Sequence, residues 1–333
     1  MRIRASVAMA AVFALTLTAC SSESESSDNV RLKVGDIFAI GVPINSCGIQ
    51  PMAEDDRLAE VGIELDVIPG AQLGTEHEMA RQVSLGQLDM GFASGGVLAE
   101  FIPELEVFET YGLYESVDAM YEVTYGPTAV GLYDQLRDEH NMRRIGAWLY
   151  GERHILANRA IRNSQDLDGV RLRVPESPVS IAGAKAIGAT PTPVAYAEIY
   201  GALDQGVVDA TEAPLAVMAS EGWAETKSAK YINLTNHLIS HVTVLINEKK
   251  WSSLSEEQQK VLEDLTKEKE TAVRECVEKN DKEALAEWKS SKTVVVVDDV
   301  DQDEMRDKAR AYFSTGFTWS DTFLDLLEEI ASR

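Results

Sequence analysis

Hydrophobic and polar positions alternate in short runs along the first half of the chain. Ile63-Glu64-Leu65-Asp66-Val67-Ile68 alternates as a half-buried strand does, and Pro69-Gly70 ends it. Val30 to Asp36, Met90 to Ala93 and Ile145 to Tyr150 predict three more strands. Between them the spacing lengthens to that of helices. Thr75, with Glu78 three residues on, forms a capping box for a helix that carries Met79, Val83 and Leu85 up to Gly86. Pro43-Ile44-Asn45 opens a helix towards Glu60. Ser116 or Asp118 caps another that reaches about Tyr125, and Thr128 to His140 sets Val130, Leu132, Tyr133 and Leu136 on one side. Val97 to Phe101 and Leu105 to Leu113 read as apolar and buried.

The second half repeats the rhythm. Val170 to Val174 and Val207 to Asp209 are strand-like; Val179 to Ile187, Ala197 to Leu203 and Leu215 to Ala224 are helix-like. Lys230 to Leu234 is extended, and His241 to Asn247 is a strand. Ser255 and Gln258 make a second capping box, at the head of a long helix. Its Leu262, Leu265, Val273, Cys276, Val277, Leu285 and Trp288 recur at the helical period. Thr293 to Val297 is a buried strand, and Asp303 to Arg333 holds two short acidic amphipathic helices. Strands alternating with helices predict an α/β fold.

At 333 residues the chain is long enough for two lobes, and 45% hydrophobic residues support a sizeable core. The 31 basic and 55 acidic residues give a net charge of −24. That excludes nucleic acid and anionic lipid surfaces as partners, since both require basic patches. It also means that an anionic ligand would need a local cluster of arginine or lysine.

The N-terminus is a targeting segment. Arg2 and Arg4 precede an apolar stretch from Val7 to Leu17, too short to span a bilayer. Leu17-Thr18-Ala19-Cys20 resembles a lipoprotein cleavage site, so residues 1–20 are expected to be a lipoprotein signal peptide with Cys20 lipidated and serving as a membrane anchor. Residues 21–29 are rich in Ser and Glu and are expected to be a tether. Outside the cytoplasm Cys47 and Cys276 could pair, but nothing in the sequence fixes their separation, and two separate buried thiols are the expectation.

Enzyme and metal motifs are missing. The chain has no phosphate loop, no dinucleotide fingerprint and no Cys-x-x-Cys pair. No cofactor is called for. His237 and His241 lack the Glu of a metalloprotease motif and read as ordinary surface or interface histidines. Ser94-Gly95-Gly96 lacks the nucleophile-elbow pattern; the two glycines read as a tight turn or a close approach of backbone to a ligand. The positive offer is two arginines beside strand signals, Arg153 and Arg173. A guanidinium is permanently charged and matches a carboxylate with two parallel hydrogen bonds. On residue chemistry alone each reads rather as a surface strand residue paired with one of the many acids.

A set of motifs reverses that reading. They are Gln72-Leu73-Gly74, Gly86-Gln87-Leu88-Asp89-Met90, Asp168-Gly169-Val170-Arg171-Leu172-Arg173-Val174-Pro175, Ile187-Gly188-Ala189-Thr190-Pro191, and Gly206 to Pro214. Together they resemble the extracytoplasmic solute-binding subunit of tripartite ATP-independent periplasmic (TRAP) transporters, the dicarboxylate-binding family, over nearly all of the chain after residue 29. The resemblance implies a periplasmic-binding-protein-like fold of two α/β lobes with the ligand cleft between them and the long helix crossing both. Lobe I would comprise residues 30–150 plus about 240–279, and lobe II residues 151–239 plus about 280–333. It implies capture of an organic acid outside the cell and delivery to a membrane permease, with no enzymatic step. An ABC-type receptor, or a sensor or enzyme on the same two-lobe fold, is the alternative.

The same resemblance assigns roles. Arg173 falls on the family's carboxylate-clamping arginine. Arg153, twenty positions earlier, falls on a second one, and Tyr196 falls on an aromatic that packs on the ligand. Glu76 matches an acid that lines the site in some relatives. Ala213 stands where sialic-acid-binding members carry Asn, and Ser94 where they carry an acid. Two polar contacts are therefore missing, which implies a smaller or less hydroxylated acid than sialic acid.

Overall fold

Two long antiparallel strands organise the molecule. In the computed structural model, which describes residues 29–332, these are β4 (Met142–Ala157) and β8 (Tyr231–Asn247). At roughly 3.3 Å per residue each spans about 50 Å, long enough to run through two lobes. At one end β8 pairs with β3 (Met90–Ala93), which lies beside parallel β1 (Val30–Gly35) and β2 (Ile63–Ile68). At the other end β4 pairs with β7 (Ala210–Ala213), which leads to parallel β5 (Arg171–Val174) and β6 (Thr190–Pro193). The short β9 (Val295–Val297) pairs with β8. The order is β2-β1-β3-β8-β4-β7-β5-β6, two parallel sheets joined through one antiparallel pair.

The sequence reading ends a strand at Tyr150 and splits β8 into two pieces. The structure makes each continuous. Gly151-Glu152-Arg153 interrupts the apolar run in β4, and Asn233, Thr235, His237 and Ser240 interrupt it in β8, yet all of these β8 residues are buried. Their partners come from inside the protein, so polarity there does not mark a loop. The ladder shifts register between Leu149 and Gly151, and such irregularities bend a strand. Gly151 sits there at φ +138°, with a Cβ position only 2.7 Å from the Pro214 side chain. A side chain at this crossing point would be both strained and crowded.

Both capping boxes form, at Thr75/Glu78 and at Ser255/Gln258. The second opens a helix, Glu256–Ser291, of 36 residues, about 54 Å long at 1.5 Å per residue. Near its start Gln258 donates to the Val61 carbonyl (3.0 Å). Near its end Asp281 accepts from the Ala216 N–H (2.6 Å). It therefore spans both lobes, as expected. The helix read from Pro43 towards Glu60 is broken instead into Ile44–Ile49, Gln50–Ala53 and Asp56–Glu60, with Asp55 capping the last piece. β6, Thr190-Pro191-Thr192-Pro193, has no strand-like pattern. It lies at the sheet edge, where missing N–H donors do no harm. The final helix, Ser320–Ala331, packs on Val117–Thr124, and Trp319 donates to Glu106 (2.7 Å).

Cys47 and Cys276 are not separate thiols: they form a disulfide, with Cα atoms 6.4 Å apart. The pairing follows from packing that no local pattern encodes. The segment Ile44–Ile49 lies against the long helix, and Gly48 allows the approach, since a Cβ there would stand 2.9 Å from Val273 and 2.7 Å from Trp148. Leu17 and Cys20 lie outside the described residues. Among those described, no helix is long and apolar enough to cross a membrane.

Candidate functional site

In open α/β sheets, ligand crevices lie beyond the carboxyl ends of the parallel strands. This chain has two such sets of ends, and they face one cavity of about 320 Å³. Ile37 and Phe38 follow β1, Ser94 and Gly96 follow β3, Pro175 to Ser177 follow β5, and Ala195 and Tyr196 follow β6. The crossing strands supply the floor with Tyr150 and Arg153 from β4 and Ser240 to Val242 from β8. The volume sits at the low end of the range of about 300–1,000 Å³ usual for small-molecule sites.

The structure brings together five of the residues singled out in the sequence: Arg153, Arg173, Tyr196, Glu76 and Ser94 all line this cavity. Glu76 accepts from the Ser94 N–H (2.6 Å), so two of them are tied to each other. Tyr196 is half-buried, packs edge-on against Phe38 and Trp223, and donates its hydroxyl to Glu221 (3.0 Å). Ala213 is not on the cavity wall. It is fully buried in β7 opposite His154, one residue beyond Glu212.

The two arginines differ. Arg153 is 7% exposed and grips Glu212, with Nη2 donating to Oε1 (2.5 Å) and Nε donating to Oε2. Burial would push the Glu212 carboxyl up, but the Arg153 guanidinium and His237 overrule it and hold it down at about 2. Arg173, 3% exposed at the end of β5, donates only from Nε, to the Val194 carbonyl (2.9 Å). Among the described residues no carboxylate pairs with it. Burial, with the Arg153 charge adding to it against Glu212, pulls Arg173 down to about 10, which still leaves it charged at neutral pH. Among the described residues that line the cavity, its terminal nitrogens form the one cationic fork not taken by an acid of the chain.

His237 and His241 are not surface residues; both are buried in β8. His237 Nε2 stands 3.6 Å from Glu212, and His241 lines the cavity. Burial pushes the His241 imidazole down to about 3. Sequence reasoning also missed Glu212 and Glu109. The available signal was a charge set within apolar runs, Ala210 to Pro214 and Leu105 to Leu113. Of the two glycines after Ser94, Gly95 lies against the Leu105 carbonyl. Gly96 meets Ser177 from the opposite wall, with a Cβ position 2.8 Å from its Oγ. Beside the wall residues Phe38 and Tyr196, Ala39 N–H donates to Glu221 (3.3 Å), the acceptor of the Tyr196 hydroxyl, and Ser220 Oγ donates to the Gly41 carbonyl (3.2 Å).

Residues 59–317 match the family described as bacterial extracellular solute-binding protein, family 7. The chain belongs to that family. This family-7 protein is similar to the sialic acid-binding periplasmic protein SiaP of Vibrio cholerae, at 28% identity over 289 residues, 86% of this chain and 88% of that one. It is also similar to the C4-dicarboxylate-binding periplasmic protein DctP of Rhodobacter capsulatus, at 29% identity over 61% of each chain. Among solved structures, a TRAP periplasmic solute-binding protein of Actinobacillus succinogenes with bound L-galactonate superposes with a TM-score of 0.84, at 26% identity, over 91% of this chain and 100% of that one. The fold is thus the two-lobed α/β fold of TRAP solute-binding proteins, and the family is one of extracytoplasmic binding proteins, not enzymes.

Proposed function

We propose that this family-7 protein captures a small organic acid between its lobes, holds the carboxylate on Arg173, and delivers it to the membrane permease of a TRAP-type transporter. The observation that carries the reading is the buried Arg173 fork, charged and, among the described residues, without an acid partner at the carboxyl end of β5. An unpaired buried charge is costly, and a ligand carboxylate relieves that cost with two parallel hydrogen bonds. Arg153, committed to Glu212, contributes a single contact at most and sets the local charge. Tyr196 and Phe38 cover the ligand's body. The relatives support the ligand class: the proteins named above are described with sialic acid, C4-dicarboxylates and L-galactonate, all carboxylates.

On this reading lobe I comprises 30–150 with about 240–279 and lobe II 151–239 with about 280–333, the final helix of lobe II reaching across to Val117–Thr124 of lobe I. Contacts such as Gly96 against Ser177 then join lobe I to lobe II and hold a closed cleft. A thermal-shift screen of organic acids tests the function, because a ligand that binds only the folded state raises its apparent stability. Stabilisation by at least one carboxylate, and none by uncharged sugars, is the expected result; a panel without effect overturns it. Lipidation at Cys20 anchors the protein outside the cell. Mass spectrometry of membrane-extracted protein is expected to show a diacylglycerol-modified Cys20 at the mature N-terminus; an unmodified start elsewhere contradicts the anchor.

A further inference from the structure

Residues 38–41 leave β1 in lobe I and meet three residues of lobe II within four positions. The Phe38 ring stands edge-on to Tyr196, with centroids 5.3 Å apart. The Ala39 N–H donates to Glu221 Oε1 (3.3 Å), and the Gly41 carbonyl accepts from Ser220 Oγ (3.2 Å). Ala39, Gly41, Ser220 and Glu221 lie off the cavity wall. The segment is held from within its own lobe. The buried Asp36 carboxyl accepts from the Phe38 N–H (3.0 Å) and from Asn45 Nδ2 (2.6 Å), and Asn45 Nδ2 also donates to the Phe38 carbonyl (2.9 Å). The Gly70 N–H donates to the same carbonyl (2.9 Å). A buried, connected network of this kind rigidifies what it holds, so the Ala39 N–H is presented to lobe II at a set place.

Glu221 stands at the C-terminal end of the helix Leu215–Ser220. A carboxylate gains nothing there from the helix dipole; what holds its side chain is the pair of donors it meets. Its Oε1 accepts from the Tyr196 hydroxyl (3.0 Å) and from the Ala39 N–H (3.3 Å), and one carboxylate oxygen has lone pairs for both. The first donor belongs to the ring that covers the ligand, the second to the other lobe. We infer that Glu221 is a closure latch: it fixes the Tyr196 ring and takes the Ala39 N–H across the gap between the lobes, so that seating of the ring and closing of the cleft are coupled through one carboxylate outside the cavity. This rests on the reading that the two lobes close over an acid.

The two bonds to Glu221 respond differently to opening. The Ala39 bond joins the lobes and is already near the length limit of a hydrogen bond, so a small separation breaks it. The Tyr196 bond lies within lobe II and survives. On closing, the Ala39 N–H meets a carboxylate that the Tyr196 hydroxyl already holds in place, and a preorganised partner costs less to bind. Without that hydroxyl the Glu221 side chain has to be ordered at each closure. Loss of Glu221 and loss of the Tyr196 hydroxyl thus act through the same atom, and their effects do not add. The Ser220 bond shares no atom with this pair, which leaves position 220 free to carry a reporter.

A Cβ placed on Gly41 stands 3.9 Å from the Ser220 Cβ, within the range of about 3.5–4.5 Å found in disulfides, and Gly41 is not among the glycines at positive φ. The rate at which Gly41→Cys with Ser220→Cys cross-links in the intact protein, in a glutathione buffer without added acid, reports the closed fraction; peptide mass spectrometry identifies the bond. In that background Glu221→Ala is expected to cross-link about fivefold or more slowly than Glu221→Gln, the effect of one lost hydrogen bond. Glu221→Gln removes the same charge beside position 220 but keeps the accepting oxygen, and is expected to stay within about twofold of the Glu221 protein. Tyr196→Phe is expected to slow the reaction about threefold, and to add nothing to Glu221→Ala. Circular dichroism confirms that each variant is folded. Equal rates for Glu221→Ala and Glu221→Gln, or a double variant slowed by the product of the single effects, overturn the latch while the lobes still close. Absence of the 41–220 bond, or the same radius of gyration by X-ray scattering for cross-linked and parent protein, shows that the lobes do not part and meet here, and removes the closure reading beneath it.

Discussion

Replacing Glu212 by Ala is expected to be among the most damaging single changes in the second lobe. Glu212 is 1% exposed and Arg153 7%, and their contact is bidentate. Removing one partner leaves a buried guanidinium unpaired, with a second cation, Arg173, nearby. Breaking a buried ion pair in this way costs about 3–5 kcal/mol. With an unfolding entropy of roughly 2.1 cal/mol/K per residue, a chain of this size loses about 1.4 °C per kcal/mol, so the melting temperature falls by about 4–7 °C. Removing both charges, in Arg153→Met with Glu212→Leu, is expected to recover most of the loss, because well-packed apolar replacements of a buried pair are often near neutral. Urea unfolding followed by tryptophan fluorescence measures both variants. The carboxylate ligand should also protect Glu212→Ala by more degrees than the parent, since it then compensates two cations instead of one. A loss below about 1 kcal/mol for Glu212→Ala would refute the view that this pair is desolvated and fixes the charge of the site.

Two further predictions concern stability. The Cys47–Cys276 bridge closes a loop of 229 residues, for which chain entropy gives an upper figure of roughly 5 kcal/mol. Reduction, or Cys47→Ser with Cys276→Ser, is expected to cost about 2–5 kcal/mol, and thiol titration of the unreduced mature protein to find neither Cys47 nor Cys276 free. The pH dependence follows from buried carboxyls. Burial raises Glu109 from 4.5 to about 8, and Asp36 and Asp281 from 3.8 to about 7. The folded state holds these protons after the unfolded state has released them, so each contribution is complete below the unfolded value and is lost as pH rises through the folded one. His154 and His241, lowered from 6.5 to about 3, act in the opposite sense but only below 6.5. Melting temperature is therefore expected to fall between pH 6.5 and 8, and Glu109→Gln to flatten that fall by up to the slope of one proton, about 1.4 kcal/mol per pH unit; an unchanged slope contradicts the assignment.

How much of this was legible in the sequence depends on whether the signal is local. The capping boxes at Thr75 and Ser255 are local and form as read. The long-helix stripe is local and predicts the helix, whereas its course across both lobes came from the family resemblance. Arg173 and Tyr196 were placed by motif, and they share a cavity because β5 and β6 are parallel neighbours whose ends lie side by side. What pattern could not supply is pairing across distance. Glu212 reads as one of many acids until β7 and β4 are adjacent, and only then does Arg153 have its partner. The apolar run around Glu109 hid a cavity residue, and the polar residues of β8 looked like a break because the site that uses them lies in another part of the chain. Cys47 meets Cys276 for the same reason.

The central claim is that Arg173 anchors the ligand's carboxylate, and calorimetric titration of Arg173→Ala and Arg173→Lys with the acid found in the thermal-shift screen tests it most directly. Truncating one partner of a buried charge pair costs about 2–5 kcal/mol, or roughly 30-fold to several thousand-fold in affinity at about 1.4 kcal/mol per tenfold. Arg173→Ala is expected to lose that much while keeping its circular dichroism spectrum. Arg173→Lys is expected to recover only part of it, because an ammonium lacks the planar fork. Binding by Arg173→Ala within about threefold of the parent would contradict the claim and place the anchor elsewhere in the cleft.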